Sequence, residues 1–153
     1  MSNPRNDNAE RELPVSVLMF IAYRAAENRI VGAVQAAGFD ITLAQSRLLA
    51  RMAPEGTRIS ELAEQAQVTK QTATALVDRL EASGYVERIP DPRDGRARVV
   101  RLTEMAQERL APIARREEER LEAEWSAHLG KDAMAELRAS LTRLREITDP
   151  FVG

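Results

Sequence analysis

The chain has 153 residues, 44% hydrophobic and 30% charged, with a net charge of −2 and few aromatics. That balance fits one globular, mainly helical domain large enough to bury a core. The absence of cysteine excludes disulfides, thiolate nucleophiles, zinc–thiolate sites and thiol-based peroxide sensing, and a single histidine, His128, excludes a His-rich metal site within one chain. No apolar run approaches the ~20 residues of a membrane helix. Pro14 to Ile21 is apolar but short, and the leader before it is polar, without the basic start of a signal peptide. The sequence predicts a cytoplasmic protein with no membrane partner.

Taken in order, residues 1–12 are polar and read as a flexible leader. Residues 13–37 read as a first long helix, with Val17, Phe20, Ile21, Arg24, Ala25, Ile30, Val31 and Val34 at helical spacing and Gly38 at its end. Around Val15 to Tyr23 it is apolar over much of its circumference, a pattern that calls for burial on more than one side. Thr42 is positioned to cap a second helix over Leu43 to Met52, with Leu43, Leu48, Leu49 and Met52 facing inward. After a loop over Pro54 to Thr57, Arg58 and Ile59 are compatible with a short strand.

Two short helical patterns come next. Ser60 is a candidate cap for Glu61 to Ala66, Gln67-Val68 forms a tight link, and Thr69 can cap the second helix. In that second helix Ala73, Leu76, Val77 and Leu80 fall at i, i+3, i+4 and i+7 and share one face. At about 100° per residue, Gln71, Ala75 and Asp78 point the other way, flanked by Lys70, Thr72, Thr74 and Arg79. An outer face of amide, hydroxyls and small methyl-bearing side chains suits a DNA major groove, where amides read base edges and methyls touch thymine. Gly84 stops the helix. Tyr85 to Ile89 and Ala97 to Leu102 then read as two strands around Pro90 to Arg96, in which two prolines and Asp94-Gly95 supply the reversal. Helix, tight turn, helix and hairpin together make a winged helix-turn-helix.

Charge follows the same division. Arg88 to Arg101 holds five arginines against Asp91 and Asp94, whereas Glu104 to Glu146 holds ten acids against eight bases. A basic tip on an acidic body directs DNA to the tip. Thr103 caps a long helix running through Trp125 and Ala127, with a bend expected at Pro112. The run Arg115 to Arg120 reads as a solvated, ion-paired face. Gly130 ends that helix and Asp132 starts the last, where Met134, Leu137, Leu141, Leu144 and Ile147 form a stripe that Asp149-Pro150 terminates. The apolar stripes at both ends exceed what one small core needs.

The motifs ISELAEQAQVTKQTATALVDRLEASGYVER and DPRDGRARVVRLT, followed by a long charged helix, resemble the MarR-type winged-helix transcriptional regulators. The resemblance is tight over about a third of the chain, and its specificity lies in the order and spacing of the helix-turn-helix, the D-x-R-D-x-R wing and the Leu-Thr helix start. It implies a mainly α fold with a small β-hairpin. Residues 38–103 would form the DNA-binding lobe, and residues 13–37 and 104–153 would interlock with a second copy in a homodimer. It implies double-stranded DNA as partner. Lys70, Gln71, Thr72, Thr74, Ala75 and Arg79 would lie at the major groove, and Arg93, Arg96 and Arg98 compete for the minor groove, with Arg96 slightly favoured and Asp94 as its buttress. Asp78 is expected to pair with a neighbouring arginine. The family also places small anionic aromatic effectors in a crevice that would here involve Met19, Tyr23, Arg24, Arg47 and Met52, although each of these residues has a rival reading in packing or ion pairing. The expected function is a ligand-responsive repressor on a pseudo-palindromic operator, with a protein-interaction module as the alternative. Neither a cofactor nor a metal is expected. No Ser/His/acid set, phosphate-binding glycine loop or metal-ligand cluster points to an enzyme.

Overall fold

The computed structural model describes residues 12–149 and 151; the expected leader therefore lies outside the described residues except for Glu12. Among the described residues, six α-helices and one hairpin follow in the order α1 (Val15–Ala36), α2 (Leu43–Leu49), α3 (Ile59–Gln65), α4 (Lys70–Ala82), β1 (Val86–Asp91), β2 (Asp94–Leu102), α5 (Ala111–Leu129) and α6 (Lys131–Thr148), with a π-helical turn over Ala106–Leu110 leading into α5. Among the described residues, no helix is long and apolar enough to cross a membrane.

One core organises the lobe. Leu48 from α2, Leu62 and Ala63 from α3, Ala73, Val77 and Leu80 from α4, and Val86 and Val100 from the hairpin are all buried in a single cluster. The predicted inner face of α4 is thus the observed one, since a 3.6-residue period brings 73, 77 and 80 to one side. Tyr85 joins this cluster, its ring edge-on to Phe39 and its hydroxyl accepting from the Asp40 amide at 3.2 Å.

Several boundaries differ from the sequence reading for local reasons. α2 ends at Leu49 rather than Met52, because the amides of Arg51 and Met52 turn back to carbonyls three residues earlier while Ala53, ahead of Pro54, donates to the Thr57 hydroxyl. Thr42 does cap α2, in a reciprocal pair with Gln45. α3 begins at Ile59 after Arg58 and not at Glu61 after Ser60. The strand expected at Arg58–Ile59 is a single bridge one residue earlier, where Thr57 exchanges both backbone bonds with Val100 at 2.9 Å. The chain passes from that bridge directly into the helix, which brings Ile59 against the core.

The hairpin is longer than predicted. Val86 pairs with Leu102 and the ladder continues to Pro90 opposite Arg98, then slips so that Asp91 faces Asp94. At Pro112 the expected disturbance takes a different form: the π turn precedes it, and Pro112 sits in the first turn of α5, where a missing amide N–H costs little. Thr103 caps this segment, accepting from the Ala106 amide and donating to the Gly84 carbonyl at 2.7 Å. α6 begins at Lys131, directly after Gly130.

Candidate nucleic-acid interface and the adjoining cavity

The outward face of α4 carries Lys70, Gln71, Thr72, Ala75 and Arg79 exposed, with Thr74 half-buried between them. The Thr69 hydroxyl accepts from the Thr72 amide at 3.1 Å and caps the helix, as its position suggested. The Thr74 hydroxyl donates to the Lys70 carbonyl at 2.8 Å, so its hydrogen is committed to its own helix. Asp78 does pair with an arginine, but the arginine comes from the wing. Arg88 on β1 reaches Asp78 at 2.6 Å and Glu81 at 2.7 Å, tying the hairpin to the recognition helix. Arg79 makes no ion pair among the described residues, leaving its charge uncommitted.

At the wing tip Arg93, Asp94, Arg96 and Arg98 are exposed. The fully buried carboxylate there is Asp91, which accepts from the Arg93 backbone amide at 2.9 Å and from Arg58 Nε at 3.0 Å, with Arg93 Nε at 3.5 Å. These donors, the Arg93 amide foremost, hold its carboxyl below the ordinary carboxylate range. Asp94 accepts from the Arg96 backbone amide at 3.1 Å and lies 3.8 Å from Arg58. Sequence reasoning passed over Asp91 and Arg58 as a pair. The clue was the Asp91-Pro92-Arg93 segment, an aspartate placed to accept from the amide two residues on.

A sequence profile of the MarR family matches residues 39–97, from the start of the lobe through the wing tip. The chain is 38% identical to an uncharacterised HTH-type transcriptional regulator, YfiV of Bacillus subtilis, over 68 residues, 44% of this chain and 42% of that protein. It is 29% identical to the transcriptional activatory protein BadR of Rhodopseudomonas palustris over 94 residues, 61% of this chain and 52% of that one. The matches therefore span about half the length of these relatives or less. The likeness extends further in three dimensions. The crystal structure of MarR superposes with a TM-score of 0.72 at 28% identity, covering 90% of this chain and 92% of that one. The MarR-family match thus covers the helix-turn-helix and the wing, and the likeness in fold extends over most of the chain.

The crevice residues expected from the MarR resemblance divide into two groups. Tyr23, Arg24 and Arg47 converge, and what they converge on is Glu27, a buried residue that the sequence reading did not single out. One carboxylate oxygen accepts from Arg24 at 2.6 Å and Arg47 Nη2 at 2.9 Å; the other accepts from the Tyr23 hydroxyl at 2.6 Å and Arg47 Nε at 2.7 Å. Arg47 holds it bidentately, and these bonds chiefly lower the Glu27 pKa, while burial raises that of Tyr23. Beside this cluster lies a cavity of about 290 Å³ between α1, α2, the end of β2 and α5, with Tyr23, Glu27 and Arg47 in its wall. Met19 and Met52 are elsewhere. Met19 lines a separate groove of about 590 Å³ between α1, α5 and α6, together with Trp125 and Leu141. Met52 packs against the lobe core.

Proposed function

We propose that the chain is a homodimeric, sequence-specific DNA-binding transcriptional regulator, a cytoplasmic repressor that a small ligand releases from a pseudo-palindromic operator. The observation that carries this reading is the pairing of an exposed polar recognition face on α4 with an arginine-tipped hairpin locked to that helix by Arg88. Each subunit would insert Lys70 to Thr74 in a major groove and the wing in the flanking minor groove, with half-sites roughly 10 bp apart. Gln71 would bond an adenine edge and Ala75 would touch a thymine methyl. Lys70, Thr72 and Arg79 would serve phosphates and set register.

Among the wing arginines, the local geometry favours Arg93 for the minor groove over Arg96. Its backbone is fixed and its guanidinium approached by the buried Asp91, itself held by Arg58, and a narrow A·T-rich groove rewards an arginine delivered in a set direction. Asp94, Arg96 and Arg98 remain part of the exposed basic tip.

Dimerisation is supported by apolar side chains left uncovered in the single chain. Leu18, Phe20 and Ile21 on α1 and Leu141, Leu144 and Ile147 on α6 are exposed, which a monomer in water does not sustain over a contiguous area. Selection of genomic fragments by the purified protein at about 150 mM salt, with Gln71→Ala and Arg93→Ala alongside, tests the proposal. Enrichment of an inverted repeat by the wild type, lost or relaxed in the variants, is the expected result. No enrichment by a folded dimer would favour a protein-interaction module. A promoter–reporter assay with and without the protein decides the sign of regulation.

A further inference from the structure

Thr74 lies among Lys70, Gln71, Ala75 and Asp78 on the outward face of α4, and these five residues border one shallow depression. Thr74 and Ala75 are its two smallest side chains, flanked by longer ones. The Thr74 hydroxyl donates to the Lys70 carbonyl at 2.8 Å, so it has no hydrogen left for a base edge. Thr72 differs, because its oxygen accepts from the Thr69 hydroxyl at 2.9 Å and its own hydrogen stays free. With the Thr74 hydroxyl turned back on its own helix, the methyl on the same carbon is what this side chain offers a base. Ala75 also offers only a methyl. In a major groove, guanine or adenine would turn acceptor atoms toward this spot, and those atoms would lose water without gaining a donor. Cytosine has no methyl to fill the space. Thymine presents its C5-methyl there, and burying that group is favourable.

We propose that Thr74 and Ala75 together seat the C5-methyl of one thymine in each half-site, and that Thr74 takes part as a methyl and not as a hydroxyl. The inference rests on the operator-binding reading above and deepens it, making Thr74 a specificity-determining residue and naming the group it reads. Helix geometry limits where that thymine lies. Thr74 and Ala75 are about 4.5–6 Å beyond Gln71 along α4, at most two base-pair steps of about 3.4 Å. The thymine is therefore within two base pairs of the adenine bonded by Gln71.

The test uses a symmetric operator selected by the wild-type protein, and copies in which deoxyuridine replaces thymine at the same position of both half-sites. Deoxyuridine pairs as thymine does and lacks only the methyl. One buried methyl contributes a factor of about four. The wild type is therefore expected to lose about fifteenfold in affinity when one particular thymine position is replaced in both half-sites. That position should lie within two base pairs of the one where Gln71→Ala loses discrimination. Thr74→Val, which keeps a methyl and removes the hydroxyl, is expected to keep this ratio. Thr74→Ser, which keeps the hydroxyl and removes the methyl, is expected to reduce it to about fourfold or less. Thr74 is half-buried on a helix surface and outside the lobe core, so both variants fold. An operator bound without any such thymine, a ratio unchanged in Thr74→Ser, or a ratio lost in Thr74→Val would each overturn the proposal and leave operator binding standing. A folded protein that selects no operator would overturn the operator-binding reading and this inference with it.

Discussion

Arg88 and Arg93 both belong to the wing, yet their charges are committed in different ways. Arg88 is held between Asp78 and Glu81, while Arg93 is exposed with Asp91 at one edge of its guanidinium. Replacing a phosphate- or groove-contacting arginine should reduce the dependence of DNA affinity on salt by about one counterion. Arg93→Ala is therefore expected to lower both affinity and the salt slope. Arg88→Met is expected to lower affinity while leaving the slope unchanged, because its charge already faces two carboxylates and its role is to position the hairpin. Binding isotherms at several salt concentrations separate the two. Glu27 gives a prediction in pH. Its carboxyl lies below its ordinary value of 4.5, first through the Arg47 hydrogen bonds, so its stabilising contribution is complete above 4.5 and is lost as pH falls through the lower folded value. Glu27→Gln should cost about 1–2 kcal/mol at pH 7, a modest figure because its arginine partners are partly solvated. The gap to wild type should close below pH 4.5 in urea titrations across a pH series. This residue was legible in one respect: Glu27, Val31 and Val34 fall at i, i+4 and i+7 on the buried stripe of α1. A carboxylate on such a stripe needs partners, and Tyr23 and Arg24 stand one turn before it.

At the scale of elements, the parts read most faithfully were those with a period. The inner face of α4 follows from the spacing of Ala73, Val77 and Leu80, and its outer face follows by rotation. The capping of α2 and α4 by Thr42 and Thr69 follows from residue type and place. Where contacts from distant sequence decide, local chemistry misleads. Ser60 is a good cap by composition, but the Thr57–Val100 bridge starts α3 two residues sooner. The hairpin runs on to Asp91 because that side chain finds Arg58, 33 positions away. The π turn over Ala106–Leu110 has no signature in its own side chains; Pro112 marked only that something there must yield. The bridge at Thr57 also depends on its neighbour. Gly56 has φ +110°, and a Cβ there would lie 2.6 Å from Val99 Cγ2. Gly56→Ala is expected to cost about 2–4 kcal/mol through backbone strain and overlap, seen as a lower urea midpoint. Gln67, in the helix-turn-helix link, has φ +57° and behaves in the opposite sense. Gln67→Gly relieves a conformation that side chains disfavour while loosening the unfolded chain, so its stability should stay within about 0.5 kcal/mol of wild type.

For the whole molecule, the proposed dimer rests on the uncovered apolar side chains of α1 and α6. Phe20→Glu combined with Leu141→Glu is expected to yield a folded monomer by sedimentation, with helical circular dichroism retained, since neither side chain belongs to the lobe core. DNA affinity should then collapse, because two half-sites are no longer engaged by one particle. A last feature concerns how the lobe can move. Arg47 in α2 is bound to Glu27 of α1, and Arg51, one turn further along, is bound to Asp149 at the end of α6 at 3.0 Å, where Arg145 also meets Asp149 at 2.9 Å. Arg47 lies within α2 and Arg51 just past its end. One joins the lobe to α1 and the other to the residue that follows α6, so the lobe is held to both outer helices at points on either side of the end of α2.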